Sequence, residues 1–220
     1  MDLWKARTDA ISYLSVERAV QVKVLEDIFQ AIDICIDAYE SKSGEEAYSR
    51  ICGLTLLKGK HLGVGAFSLI LDGLAQEAGA LLRPFIEYTE LLTYFRTFPE
   101  MVDKAADNDL PNAGERAKAV NGIYKDFREH LNSHASHSSY SHFSLSHLLQ
   151  PQTFKFKKLQ RTVPKVLDRN PRDFTIHLYL LLHEAVLSLE QANAPEFAQL
   201  AEQTGSLKKR LIQEFGLNAF

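Results

Sequence analysis

Leu25, Phe29, Ile32, Ile36 and Tyr39 recur at alternating steps of four and three. Only an α-helix brings residues so spaced onto one face, so a helix is expected through roughly residues 16 to 40 with this stripe buried. The same spacing returns in Leu81, Phe85, Tyr88, Leu92 and Phe95, and again in Val120, Ile123, Tyr124, Phe127 and Leu131. No stretch shows the apolar–polar alternation of a half-buried strand, and neither a repeat nor a long heptad array is present. Stripes of this kind are buried helix against helix. The expected fold is therefore all-α, an antiparallel helical bundle forming one domain over residues 1–220.

Punctuation residues divide the chain. Ser41 to Gly44 ends the first stripe, and Glu45 to Leu57 reads as a second helix whose C-terminus is Lys58-Gly59-Lys60. Gly63-Val64-Gly65 reads as a connection. It lacks the lysine-bearing phosphate-loop pattern, and no cofactor is expected. A long central helix is expected from Ala66 to about Phe98, kinked at Pro84, with Gly73, Ala75, Ala78, Gly79 and Ala80 leaving room for a close neighbour. Pro111-Asn112 marks a further start, and Arg172 to Gln191 and Pro195 to Phe215 read as the last two helices.

Composition sets the class without naming a function. Of 220 residues, 45% are hydrophobic and 24% charged, which excludes a disordered or collagen-like chain. A net charge of −3 argues neither for nor against a polyanionic partner, so any nucleic-acid signal must be local. Two cysteines build no disulfide framework, and Cys35, among Ile32, Ile34 and Ile36, reads as a core thiol; a reducing cytoplasm is the expected location. Asp2, Lys5, Arg7 and Asp9 interrupt the first residues, which lack the apolar block of a signal peptide. The uninterrupted apolar runs at 62–71 and 174–182 fall well short of the roughly 20 residues that cross a bilayer, so no membrane partner is expected.

The informative region is polar. Leu131 to Phe154 contains no Asp, Glu, Lys or Arg but carries seven serines and four histidines. Cations then return almost alone: Lys155, Lys157, Lys158, Arg161, Lys165, Arg169 and Arg172 are accompanied by Asp168 only. Lys155, Lys157 and Lys158 interleave with Phe154 and Phe156, a combination that suits phosphate attraction with base stacking, and with Arg161 they form a candidate RNA-binding stretch. The alternative is equally physical: Phe154, Phe156 and Leu159 anchor a loop while the lysines stay in water.

Arg128 is followed by five residues and then His134. A histidine can move a proton at the ribose 2′-hydroxyl while a guanidinium stabilises the phosphorane, so the two are candidate catalytic residues. On an unbroken helix they lie roughly 120° apart, and convergence requires a helix break near Asn132-Ser133 or a second copy across a two-fold axis. The spacing resembles the Arg, four to six residues, His signature of the HEPN superfamily, small α-helical proteins that include prokaryotic toxin and defence ribonucleases. Glu129 stands where the commonest form of that signature has a polar amide. The resemblance implies action on RNA without a metal, a homodimer, and a protein partner or antitoxin.

Two further groupings carry other readings. Arg83, Glu87, Glu90 and Tyr94 follow one another at steps of four, three and four. Their stripe is either a solvated face or, with His130 and His137, the wall of a polar pocket binding a small anion or a partner protein in a non-catalytic interaction module. An Arg and a Glu on one long helix beside a Ser/His-containing helix end also look similar to uncharacterised bacterial helical families. His130, His134 and His137, spaced by four and three, would share one face of a continuing helix and could hold a metal ion; Leu131 after His130 excludes the zinc-peptidase motif.

Overall fold

The computed structural model describes residues 4–134, 148–150, 152–157 and 164–218. Among these it is an all-α bundle. The helices are α1 (Lys5–Glu17), α2 (Ala19–Lys42), α3 (Ala47–Leu71), α4 (Ala75–Thr97), α5 (Met101–Ala106), α6 (Ala113–Ala119), α7 (Lys125–His134), α8 (Pro164–Gln191) and α9 (Phe197–Phe215). Two short strands, β1 (Leu149–Gln150) and β2 (Lys155–Phe156), pair antiparallel with Leu149 opposite Phe156, so the expectation of no strand is corrected by this one small hairpin.

The five long helices α2, α3, α4, α8 and α9 enclose one continuous core. At its centre the Phe174 ring of α8 stacks on Phe67 of α3 at 5.6 Å and meets Phe29 of α2 and Phe85 of α4 at 6.4 Å each, joining four helices through one side chain. Of the first stripe, Leu25, Ile32 and Tyr39 are buried and Phe29 and Ile36 half-buried; Cys35 is a core thiol as expected, and the Tyr39 hydroxyl donates to the Ala185 carbonyl at 2.9 Å. Ahead of this stripe, α1 packs against α2, α3 and α8.

The largest departure lies in α3. Neither the stop at Lys58-Gly59-Lys60 nor the connection at Gly63-Val64-Gly65 exists: α3 runs unbroken through both, and the chain turns instead at Asp72-Gly73-Leu74, where Gly73 has φ of 77°. The long central helix expected from Ala66 is thus the end of α3 plus α4, with Pro84 inside α4. Packing explains the difference. A Cβ at Gly59 would lie 3.1 Å from Leu181 Cδ2, and one at Gly63 would lie 3.2 Å from Phe85 Cε2. These glycines let α8 and α4 close onto α3, and the dense packing that results offsets the cost of glycine in a helix, about 1 kcal/mol each. By length and composition α3 is apolar enough to cross a membrane, which the uninterrupted runs had hidden; a third of its most apolar window (33%) is buried against the other helices.

Two other boundaries move. The stripe from Val120 to Leu131 is not one helix: Val120 caps α6, the chain breaks at Asn121, with φ of 49°, and only Phe127 and Leu131 lie in α7, which starts at Lys125; Ile123, expected in the buried face, is 74% exposed in the turn between. The start of α6 is the one expected, with Asn112 and Glu115 forming a reciprocal capping box. The helix expected from Arg172 begins at Pro164, so Arg169 and Arg172 are helical residues, and Pro171 sits inside α8.

A Gly59→Val substitution is expected to lower stability by roughly 1–3 kcal/mol, since its extra carbons must enter occupied space. Gly205, helical, exposed and with nothing within 4 Å of an added Cβ, is the matched control. Gly205→Ala should stabilise by about 0.5–1 kcal/mol. Urea midpoints at constant m-value measure both.

Candidate functional site

Helix α4 presents its polar stripe to α6 and α7, not to solvent. Arg83 and Glu87 pair with each other one turn apart, with side chains 22% and 26% exposed. One turn on, Glu90 is 5% exposed and is the one acid among the described buried residues. Arg128 of α7, 13% exposed, pairs with it. A second link joins the same helices: Arg83 Nε donates to Asn132 Oδ1 at 2.7 Å. As position 128 faces 90 and 132 faces 83, α7 runs antiparallel along α4.

The electrostatics of this junction are those of charges held out of water. Burial pushes the Glu90 carboxyl above its ordinary range, against the pull of Arg128, Arg83 and Arg116. Burial first, and then the neighbouring Arg128 guanidinium, holds Arg83 below its usual value. Arg116, whose guanidinium donates to the Pro111 carbonyl, is lowered by burial as well. Three guanidiniums thus surround two carboxylates.

The turn between α6 and α7 closes over Glu90. A Cβ at Gly122 would fall 2.4 Å from Glu90 Oε1 and 3.2 Å from the Ala117 carbonyl, so a larger residue there would have to displace the Glu90 carboxylate. Beside it lies a cavity of about 80 Å³ lined by Thr89, Glu90, Thr93, Tyr124 and Glu184 among others. Glu90 Oε1, Arg128 Nε and the Tyr124 hydroxyl are buried here without a protein partner. Next to Tyr124, whose ring it meets at 5.6 Å, His177 of α8 stacks on Phe127 of α7 at 4.6 Å. Burial brings the His177 imidazole down to about 4, so it is neutral at pH 7.

The residues singled out by sequence fall into three places. Arg83, Glu87 and Arg128 meet at the α4–α7 junction, and the stripe holding Arg83 and Glu87 is a packed wall rather than a solvated face. His130 is exposed on α7. Helix α7 continues through His134, so of the two routes to convergence the break near Asn132-Ser133 is not the one taken; the side chain of His134, with His137, Lys158 and Arg161, lies outside the described residues. Lys155 and Lys157 are exposed on the β1–β2 hairpin, beside Phe154 and Phe156 at 77% and 82% exposure. Leu159, the third residue of the loop-anchor reading, lies outside the described residues. Among the described residues no three His, Cys, Asp or Glu side chains stand close enough to hold a metal ion.

Glu90 was legible as the third member of the α4 stripe, but its pairing with Arg128 was not. Asn132, Tyr124 and His177 carried no spacing signal of their own. No family model, curated protein or solved structure matches the chain.

Removing Arg128 leaves a buried carboxylate uncompensated. Arg128→Ala should cost roughly 3–5 kcal/mol, whereas the double variant Arg128→Met with Glu90→Leu should recover most of that, as measured by urea unfolding. His177 makes a pH prediction. Its native state refuses a proton that the unfolded chain accepts near 6.5, so its contribution is complete above pH 6.5 and is lost as pH falls towards 4. Relative to a His177→Phe variant, the wild type should lose about 1.4 kcal/mol per pH unit across that window.

Proposed function

We propose that the chain is an RNA-binding protein of HEPN-like type. One observation carries the reading: the β1–β2 hairpin holds Phe154 and Phe156 almost fully in water, flanked by Lys155 and Lys157. Exposed aromatic rings alternating with ammonium groups supply the two interactions that single-stranded RNA offers without sequence, base stacking and phosphate attraction. The arginine-rich α4–α7 junction supports it, because an anion would relieve the crowding of Arg83, Arg116 and Arg128. Cleavage, on this reading, is metal-independent: His134, from the same or a second copy, transfers the proton at the ribose 2′-hydroxyl, and Arg128 stabilises the phosphorane after exchanging Glu90 for the phosphate.

A second reading, a non-catalytic interaction module, is favoured by that same ion pair, since a guanidinium already neutralised by a buried carboxylate is costly to divert. The two readings part in one experiment. Fluorescence anisotropy with labelled single-stranded RNA should show binding that weakens steeply with salt. It should weaken at least about tenfold when Phe154 and Phe156 are both replaced by Ala, because stacking contributes roughly 1–3 kcal/mol per base. No binding at low salt, or binding indifferent to the double replacement, would refute the proposal. Cleavage of the bound RNA in EDTA, lost in His134→Ala with helicity intact, selects the ribonuclease; binding without cleavage selects the module.

A further inference from the structure

We infer that the hairpin grips RNA through Phe154, which takes one unpaired nucleobase on its ring, a purine in preference to a pyrimidine. The inference rests on the RNA-binding reading above and deepens it by giving the two exposed rings different parts.

The backbone makes the distinction. Among the described residues four other than glycine have positive φ: Asn108, Asn121, Phe154 and Asn193. Asparagine tolerates this left-handed region because its short polar side chain can bond locally. Phenylalanine has no such compensation, and for a bulky side chain a φ of 53° is an outlier that costs free energy.

The turn imposes the conformation. The Gln150 carbonyl accepts from the Thr153 N–H at 3.3 Å and the Phe154 N–H at 2.8 Å, just before Lys155 pairs with Gln150 in the ladder. Hairpins that turn this tightly ordinarily carry glycine or asparagine at the left-handed position. Strain persists where the side chain returns something for it. Within the protein Phe154 returns almost nothing, since at 77% exposure its ring buries little area. The return therefore lies outside the chain. Phe156 carries no such strain, and occupies an ordinary ladder position opposite Leu149.

The surroundings select the ligand. Lys155 and Lys157 are exposed beside the ring, and no Asp or Glu occurs in the sequence between Glu129 and Asp168. An aromatic face among cations, with no acid nearby in the chain, suits a base carried on a phosphate backbone. The two hydrogen bonds to Gln150 order the turn before the ligand arrives, so less freedom is lost on binding. Stacking strength then sets the preference, and the two fused rings of a purine cover a phenyl ring more fully than one.

Anisotropy with a labelled uridine dodecamer, and with the same oligomer carrying one central adenosine, tests the assignment. The wild type should bind the adenosine oligomer several-fold more tightly. Phe154→Gly should weaken that complex at least about fivefold, the low end for one lost stack, and remove the preference, whereas Phe154→Trp should keep both. Because glycine suits the turn, hydrogen exchange at the Lys157 amide, which donates to the Leu148 carbonyl at 2.8 Å, should be no faster in Phe154→Gly. Faster exchange there would make Phe154 a residue of the hairpin's own stability and overturn the inference, as would equal wild-type affinity for the two oligomers. Affinity unchanged in Phe154→Gly but lowered in Phe156→Ala would overturn it while leaving RNA binding in place. Binding of neither oligomer would overturn both readings, and capture by vesicles of phosphatidylcholine and phosphatidylserine in their stead would assign the ring to a lipid surface.

Discussion

Helix α3 can be the axis of this bundle because it lacks side chains where its neighbours come closest. A Cβ would lie 2.9 Å from Tyr39 Cβ of α2 at Gly53, 3.1 Å from Leu181 of α8 at Gly59 and 3.2 Å from Phe85 of α4 at Gly63, each tighter than an ordinary contact. The approach aligns α4 so that Phe85, Leu92 and Phe95 are buried inward while Arg83, Glu87 and Glu90 emerge on the side where α6 and α7 pack. Close packing tolerates little displacement, so the inner face of α4 fixes where its charged face must lie. The polar junction is in that sense a consequence of missing methyl groups on another helix.

A buried ion pair rarely adds stability compared with apolar residues of the same size, since desolvating both charges consumes most of their attraction. Its presence here therefore calls for a reason beyond holding α7 in place. Leu131 and Tyr124 already bury α7 against the core, and Phe127 stacks on α8. What Glu90 adds is selectivity of position: only a register that brings Arg128 opposite it, and Asn132 opposite Arg83, gives the buried carboxylate its partner. The pair sets the register of α7 along α4.

The helical class and the buried stripes were legible because periodicity is a local property that survives into the fold. Leu25, Ile32, Tyr39, Phe85, Leu92 and Phe95 are all buried as their spacing predicts. The boundaries in α3 were not legible, because glycine reads as punctuation unless a partner helix is known to occupy its empty volume, and that partner lies over a hundred residues away in Leu181. The α6–α7 break failed for the opposite reason: the apolar spacing from Val120 to Leu131 is compatible with one helix, and only the contact of Gly122 with Glu90 shows why the chain turns there. Of the candidate site, the arginine and the α4 stripe were visible separately. Their meeting depended on the antiparallel course of α7, which no local pattern encodes.

The N-terminal half of α8 ties these regions together. Within six consecutive positions Arg172 lines a cleft between α1, α2, α8 and α9, Phe174 centres the core and His177 supports Phe127 of α7. Three successive demands on one stretch of helix explain why α8 tolerates features that helix formation alone disfavours, a proline at position 171 and cations in its first turns. One helix register must satisfy all three at once, so the position of Phe174 in the ring cluster also settles which way Arg172 and His177 face.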